Sequence, residues 1–258
     1  MSPAPAAIAF ENVTYGDGAA PVLNGVSLAV RQREFLAIVG PSGAGKTTLL
    51  RLINRLADPG SGTVRVHGED VQTADAIALR RRIGYVFQSI GLFPHMTVAE
   101  NIAITPKLLG WDGARIAARV DELLALVRLG DGRLRERFPS ELSGGEGQRV
   151  GLARALAAEP AIMLMDEPFG ALDPLTRDGL GEDYRRLHTE LGLTTVMITH
   201  DMLEALLLAD RVAVLHGGRI VADGSPQALM HETQHDYVRE LMAAPRRQAE
   251  RFRALERK

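Results

Sequence analysis

The run Gly40-Pro41-Ser42-Gly43-Ala44-Gly45-Lys46-Thr47 meets the pattern G-x-x-x-x-G-K-[ST] at every fixed position. Its flanks constrain the fold as much as the motif does. Phe35-Leu36-Ala37-Ile38-Val39 before it is a continuous apolar run, the pattern of a strand covered on both faces, and residues 48–56 after it have helical character. Strand, glycine-rich turn and helix in that order converge backbone N–H groups and a helix N-terminus on one point, an arrangement that suits phosphate oxygens. Lys46 can neutralise the β- and γ-phosphates of a nucleotide, and Thr47 can offer its hydroxyl to Mg2+. Thr48 carries the loop into the helix.

Further strand-like runs at 83–87, 161–165, 194–199 and 211–215 alternate with helical patterns. The expected fold is therefore α/β, with a parallel sheet joined by crossover helices. Shorter β-like pieces lie at 8–15, 25–30 and 62–67. Between 89 and 160 no strand pattern occurs, and Ile116, Val120, Leu123, Leu124 and Val127 recur at helical spacing. The expectation is one domain over 1–258: an α/β core from 1–88 and 161–258, with a helical insert at 89–160.

Composition removes several alternatives. No cysteine is present, which excludes disulfides and thiolate metal sites and fits a reducing compartment. The balance of 30 basic against 32 acidic residues gives no overall reason to expect a nucleic-acid partner. No apolar run approaches the roughly 18–20 residues of a membrane-spanning helix. The start, Met1-Ser2-Pro3-Ala4-Pro5-Ala6-Ala7, lacks the basic and apolar stretches of a signal peptide. A soluble, cytoplasmic protein is expected, with any membrane role exercised through a partner. The last fourteen residues hold six basic and two acidic side chains, the composition of a solvated terminal helix.

Two more motifs carry chemistry. Ile162-Met163-Leu164-Met165-Asp166-Glu167 is an apolar strand ending in two acids, which calls for something cationic or reactive nearby. With the phosphate loop in place, Asp166 would hold Mg2+ and Glu167 would polarise an attacking water. Leu142-Ser143-Gly144-Gly145-Glu146, ahead of a helical run at 149–158, is either a plain capped helix or a second anion-binding helix start.

In this order the three motifs resemble ABC-type ATPases across nearly the whole chain, and the resemblance implies a P-loop NTPase fold. That fold has a RecA-like core with a parallel sheet, an N-terminal antiparallel β subdomain and a helical subdomain. The resemblance assigns roles to single residues as well. Tyr15 is similar to the aromatic that stacks on adenine, and Gln88 to the glutamine that reaches Mg2+ and the attacking water. Ala171-Leu172-Asp173 is similar to the loop that communicates across a dimer, and His200 to the histidine at the γ-phosphate. Ser143, Gly144, Gly145 and Glu146 would close the nucleotide site of a second copy. Glu146 stands where this family more often has glutamine, and Gly147 replaces a bulkier polar residue, at a helix cost of up to about 1 kcal/mol relative to alanine.

The implied cofactors are ATP and Mg2+, and the implied assembly is a homodimer, with a heterodimer as the alternative. Residues 88–98 resemble the importer segment that meets a membrane permease. There Phe93, Pro94 and Met96 suit either a partner groove or core packing. Residues 101–111 and 242–250 resemble ATPases of osmoprotectant importers, which take up glycine betaine, choline and similar quaternary amines. A permease, a solute-binding protein and a place on the cytoplasmic face of the plasma membrane follow as expectations. An exporter subunit remains a competing expectation. A DNA-acting relative would need a long coiled coil between the phosphate loop and Ser143, and 49–141 has no sustained heptads. A ribosome-acting relative would need two ATPase units. A small-molecule kinase would leave residues 142–146 and His200 unexplained.

Overall fold

Near-continuous apolar runs along the central strands set the architecture, because each face of the sheet they form must be covered. The computed structural model describes residues 6–16, 20–130, 133–231, 235–243 and 247. In chain order the elements are β1 (Ala6–Tyr15), β2 (Leu23–Arg31), β3 (Phe35–Val39), α1 (Lys46–Ile53), β4 (Ser61–Val66), β5 (Glu69–Asp70), α2 (Ala76–Arg81) and β6 (Ile83–Val86). Three helices follow, α3 (Val98–Leu108), α4 (Gly113–Leu126) and α5 (Gly144–Leu156). The chain then returns through β7 (Ile162–Asp166), α6 (Pro174–Leu191), β8 (Thr194–Thr199), α7 (Met202–Leu208), β9 (Arg211–His216), β10 (Arg219–Gly224) and α8 (Pro226–His231).

One sheet has the order β10-β9-β3-β8-β7-β6, parallel except for β10 at its edge. The other, β2-β1-β4-β5, is antiparallel. β3 lies mid-sheet and is buried along its length. Phe35, Ala37 and Val39 face a core shared with α3–α7, while Leu36 and Ile38 face a second core shared with α1 and the antiparallel sheet. Full burial of each large apolar side chain contributes about 1.5–3 kcal/mol. Ile116, Val120, Leu123, Leu124 and Val127 are buried, as their spacing predicts. Among the described residues no helix is long and apolar enough to cross a membrane.

Several boundaries differ from the sequence expectation. The helix expected at 48–56 runs over Lys46–Ile53. It ends where Arg55 turns to φ 48°. The helix expected from 149 starts at Gly144, because Ser143 and Glu146 form a reciprocal capping box that overcomes three weak helix formers at 144, 145 and 147. β10 had no counterpart in the sequence expectation. Gly217 and Gly218, at φ 56° and 73°, supply the left-handed two-residue turn that folds it back on β9, and the Gly-Gly pair was its available signal. The basic run at 245–258 lies outside the described residues apart from Arg247.

Candidate active site

Helices α2 to α7 each open on a side-chain cap, from Asp75, Thr97, Asp112, Ser143, Asp173 and Asp201. α1 does not: its N-cap is Gly45, at φ 100°, and among the described residues no side-chain cap bonds its first amides. Those N–H groups are left for an external acceptor, and the helix start is positive. The loop 40–47 is held at both ends. A Cβ on Gly40 would collide with the Leu215 carbonyl, and one on Gly45 would approach Leu23 Cδ2 to 2.7 Å and the Val22 carbonyl oxygen to 3.0 Å. Ala44 N donates to the Pro41 carbonyl at 3.2 Å, closing the turn, while Pro41, Ser42 and Gly43 stay exposed. Gly45→Ala should destabilise the protein by about 1–3 kcal/mol through positive-φ strain and this clash. Nucleotide affinity should fall with the melting temperature, and thermal denaturation beside a binding titration checks both.

Lys46 is buried, and its Nζ donates to the carbonyl oxygens of Gly40 (2.8 Å) and Pro41 (3.0 Å). Burial pulls its pKa below the usual lysine range, against the opposing pull of Glu167 and Asp166. Thr47 Oγ1 lies 3.5 Å from Asp166 Oδ1, at the end of β7. Burial, and then the neighbouring Glu167 charge, raise the Asp166 pKa. The next residue, Glu167, stands at φ 45°, uncommon for a residue with a Cβ. Its Oε2 accepts from Gln88 Nε2 at 3.1 Å and lies 3.1 Å from His200 Nδ1. Lys46, Thr47, Gln88, Asp166, Glu167 and His200 thus gather beyond the carboxyl ends of β3, β6, β7 and β8, where ligands of open α/β sheets bind.

Mg2+ fits this chemistry. Two adjacent carboxyl groups and a threonine hydroxyl provide hard oxygen donors. Among the described residues no group of three or more His, Cys, Asp and Glu is arranged to hold a metal ion by itself. An ion here would complete its shell with phosphate and water.

Ser143, Gly144, Gly145, Glu146 and Asp173 meet elsewhere. They line a cavity of about 420 Å³ together with Arg149 and Leu175, and no residue of the loop 40–47 lines it. Ser143 Oγ accepts from Glu146 N at 3.2 Å, and Glu146 Oε2 accepts from Ser143 N at 2.8 Å. Glu146 thus has a local role as the acid of the capping box. Gly147 also has a packing reason, because a Cβ there would come within 2.9 Å of Ile90 Cδ1. Asp173 caps α6 through Thr176 N at 3.1 Å, and contacts with Thr176 lower its pKa. Tyr15 is partly buried at the end of β1, paired with Leu23, the residue that touches Gly45.

Sequence reasoning missed Gln148. Its buried amide donates to the Pro168 carbonyl and ties α5 to the segment after Glu167. A polar residue on the buried side of a helix was the available signal.

A phosphate loop on an uncapped helix, acids at the end of β7 and the mixed sheet topology define a P-loop NTPase fold. The ABC transporter family model matches residues 23–170. The glycine betaine/carnitine/choline transport ATP-binding protein OpuCA of Bacillus subtilis (strain 168) is 48% identical over 229 residues, covering 89% of this chain and 60% of that protein. The sulfate/thiosulfate import ATP-binding protein CysA of Caulobacter vibrioides is 52% identical over 235 residues, covering 90% of this chain and 68% of that protein. Among solved structures, the dimeric post-hydrolysis ATP-binding cassette MJ0796 bound to ADP and Pi superposes with a TM-score of 0.76 at 33% identity, covering 85% of this chain and 98% of that one. The chain belongs to the ABC transporter family. It spans about 60% of the length of the Bacillus relative it matches.

Proposed function

We propose that this chain is the ATP-hydrolysing subunit of a membrane importer for small osmoprotectants such as glycine betaine, choline or another quaternary amine. It would act as a peripheral homodimer on the cytoplasmic face of the membrane, under a permease served by a solute-binding protein. The observation that carries the ATPase reading is the division of the site. Lys46, Asp166, Glu167, Gln88 and His200 stand together, while Ser143–Gly145 line a separate cavity. Two copies arranged head to tail would complete each other's sites, and the likeness to a dimeric cassette supports this.

In that arrangement the amides of 40–47, Lys46 and the start of α1 bind and orient the phosphates, and Tyr15 packs on the base. Thr47, Asp166 and Gln88 would hold Mg2+, which supplies charge neutralisation at the transferred phosphoryl group. Glu167 polarises the attacking water, held in place by Gln88 and His200. Ser143, Gly144, Gly145 and Glu146 contribute amides and a hydroxyl from the second copy, with Asp173 at the junction. Residues 89–160 form the helical subdomain that answers to the permease.

Phe93 would stand at the surface that meets the permease. Buried Asn101 binds the loop before α3 on four sides. It accepts from Phe93 N at 2.8 Å and donates to the carbonyls of Phe93, Met96 and Thr97 at 3.0–3.2 Å. The loop is therefore built, and it leaves Phe93 43% exposed and Met96 half-buried. Phe93 lines a groove of about 430 Å³ with Tyr85, Phe87, Ile104 and Arg154. Phe93→Ala should leave the melting temperature and basal ATPase near wild type, yet lower permease-stimulated turnover about tenfold or more. Unchanged transport by a stably expressed variant would remove this surface from the coupling path.

The solute rests on likeness to the Bacillus relative. Import of an inorganic oxyanion is the second reading, favoured by the 52% identity to the sulfate/thiosulfate protein. Reconstitution with the co-encoded permease and binding protein decides between them: ATP-dependent uptake of labelled betaine or choline supports the first, and uptake of sulfate alone replaces it.

A further inference from the structure

One arginine spans the two loops beside the Glu167–His200 contact. Arg177 Nη2 donates to the carbonyl oxygens of Leu172 (3.1 Å) and Gly170 (3.4 Å), and Nη1 lies 3.7 Å from Asp201 Oδ2. Its Nε is buried, with no acceptor among the described residues. Asp201 uses its other oxygen to cap α7, accepting from Leu203 N (2.9 Å) and Glu204 N (3.3 Å). Its amide donates to Thr199 Oγ1 at 3.0 Å. One guanidinium therefore touches the backbone just after Glu167 and the residue just after His200. Gly170 lies beside both functional groups, since a Cβ there would be 3.8 Å from Glu167 Oε2 and 3.9 Å from His200 Cε1.

The energetics separate positioning from stability. The side chains of Arg177 and Asp201 are 31% and 38% exposed, and an ion pair so exposed adds little to folding. A planar guanidinium that hydrogen-bonds the carbonyls of one segment and forms an ion pair with a carboxylate of another links the two, which a lysine point charge does less well. We propose that Arg177 is a positioning residue for hydrolysis, holding the 167–173 and 199–204 loops in register so that His200 Nδ1 and the Glu167 carboxylate keep their 3.1 Å contact. This deepens the reading of Glu167 and His200 as a hydrolytic pair and rests on it.

The test uses the full chain with Arg177→Met, Arg177→Lys, Asp201→Asn and the double variant of the first and third. Asparagine keeps the α7 cap through its amide oxygen but loses the charge. Arg177→Met and Asp201→Asn should each lower kcat tenfold or more, with KM for MgATP within about twofold of wild type. Arg177→Lys should recover part of the loss, and the double variant should fall no further than the singles, as expected for residues acting through one contact. Deuterium uptake over 168–173 and 199–204 should rise together in Arg177→Met while β7 and β8 stay protected, a readout that needs no turnover. Wild-type kcat in folded Arg177→Met, additive losses in the double variant, or unchanged uptake in the two loops overturns the positioning role. Should Arg177→Met fail to fold, Arg177→Lys and Asp201→Asn carry the same comparison. Absence of ATPase activity in the wild-type chain would instead overturn the hydrolytic reading, and the uptake arm would still decide whether Arg177 ties the loops.

Discussion

Glu167→Gln is expected to bind MgATP with near wild-type affinity, to hydrolyse it about 10²–10⁴-fold more slowly, and to elute as a dimer when nucleotide is present. The amide preserves size, and its oxygen can still accept from Gln88 Nε2 and His200 Nδ1, both 3.1 Å from Glu167 Oε2. It cannot polarise water or take a proton as a carboxylate does. Lys46, Thr47 and Asp166 remain to hold the phosphates and metal, so binding survives while turnover does not. Unspent ATP would then persist between the loop 40–47 of one copy and Ser143–Gly145 of the other. Adding Ser143→Arg places bulk and a misdirected cation there, and should return the protein to monomer. Size-exclusion chromatography with MgATP measures both variants. A Glu167→Gln protein that binds ATP tightly as a monomer would count against the composite site, and near-normal turnover would remove Glu167 from catalysis.

Lys46→Ala should weaken MgATP binding by about 10²-fold or more and abolish measurable hydrolysis. Electrostatic groups in a site shielded from water are worth several kcal/mol, and each 1.4 kcal/mol is tenfold in affinity. Lys46 is the cation inside the loop 40–47, and Asp166 and Glu167 lie close enough to act on its charge. Without it the two carboxyl groups face the phosphates uncompensated, and the Gly40 and Pro41 carbonyls lose their donor. Calorimetric titration checks the affinity. Wild-type binding in a folded variant would sink the nucleotide-site assignment.

The parts of the site that were legible in the sequence are those whose chemistry is local. The loop 40–47 needs its glycines, lysine and threonine at fixed offsets, and the acids need only to end an apolar strand. β3 and β8 appeared at their observed bounds because burial on both faces leaves an unbroken apolar run in β3 and a run of apolar and β-branched residues in β8. What escaped depends on neighbours far along the chain. Gly147 looks like a defect until Ile90 is seen against it. Phe93 and Met96 are alike on paper. Only the bonds from Asn101 decide that the first is exposed and the second half-buried. Arg177 is an ordinary helix-surface residue by pattern, and its partner Asp201 lies beyond a whole strand. The start of α5 escaped for a local reason: glycine propensity was weighed, and the reciprocal cap between Ser143 and Glu146 was not.

The cavity beside Ser143 lies apart from the loop 40–47, and this has a kinetic consequence. On the proposed composite site, a lone chain owns two half-sites and no whole one. Below the dissociation constant of the dimer, total turnover should then rise with the square of protein concentration, and activity per molecule should fade on dilution. Tethering two chains in one polypeptide, or anchoring both to a common scaffold, would restore first-order behaviour. Under the proposed function, a permease that seats two copies side by side would do the same, so that free chains would stay idle and ATP would be spent only where transport can use it.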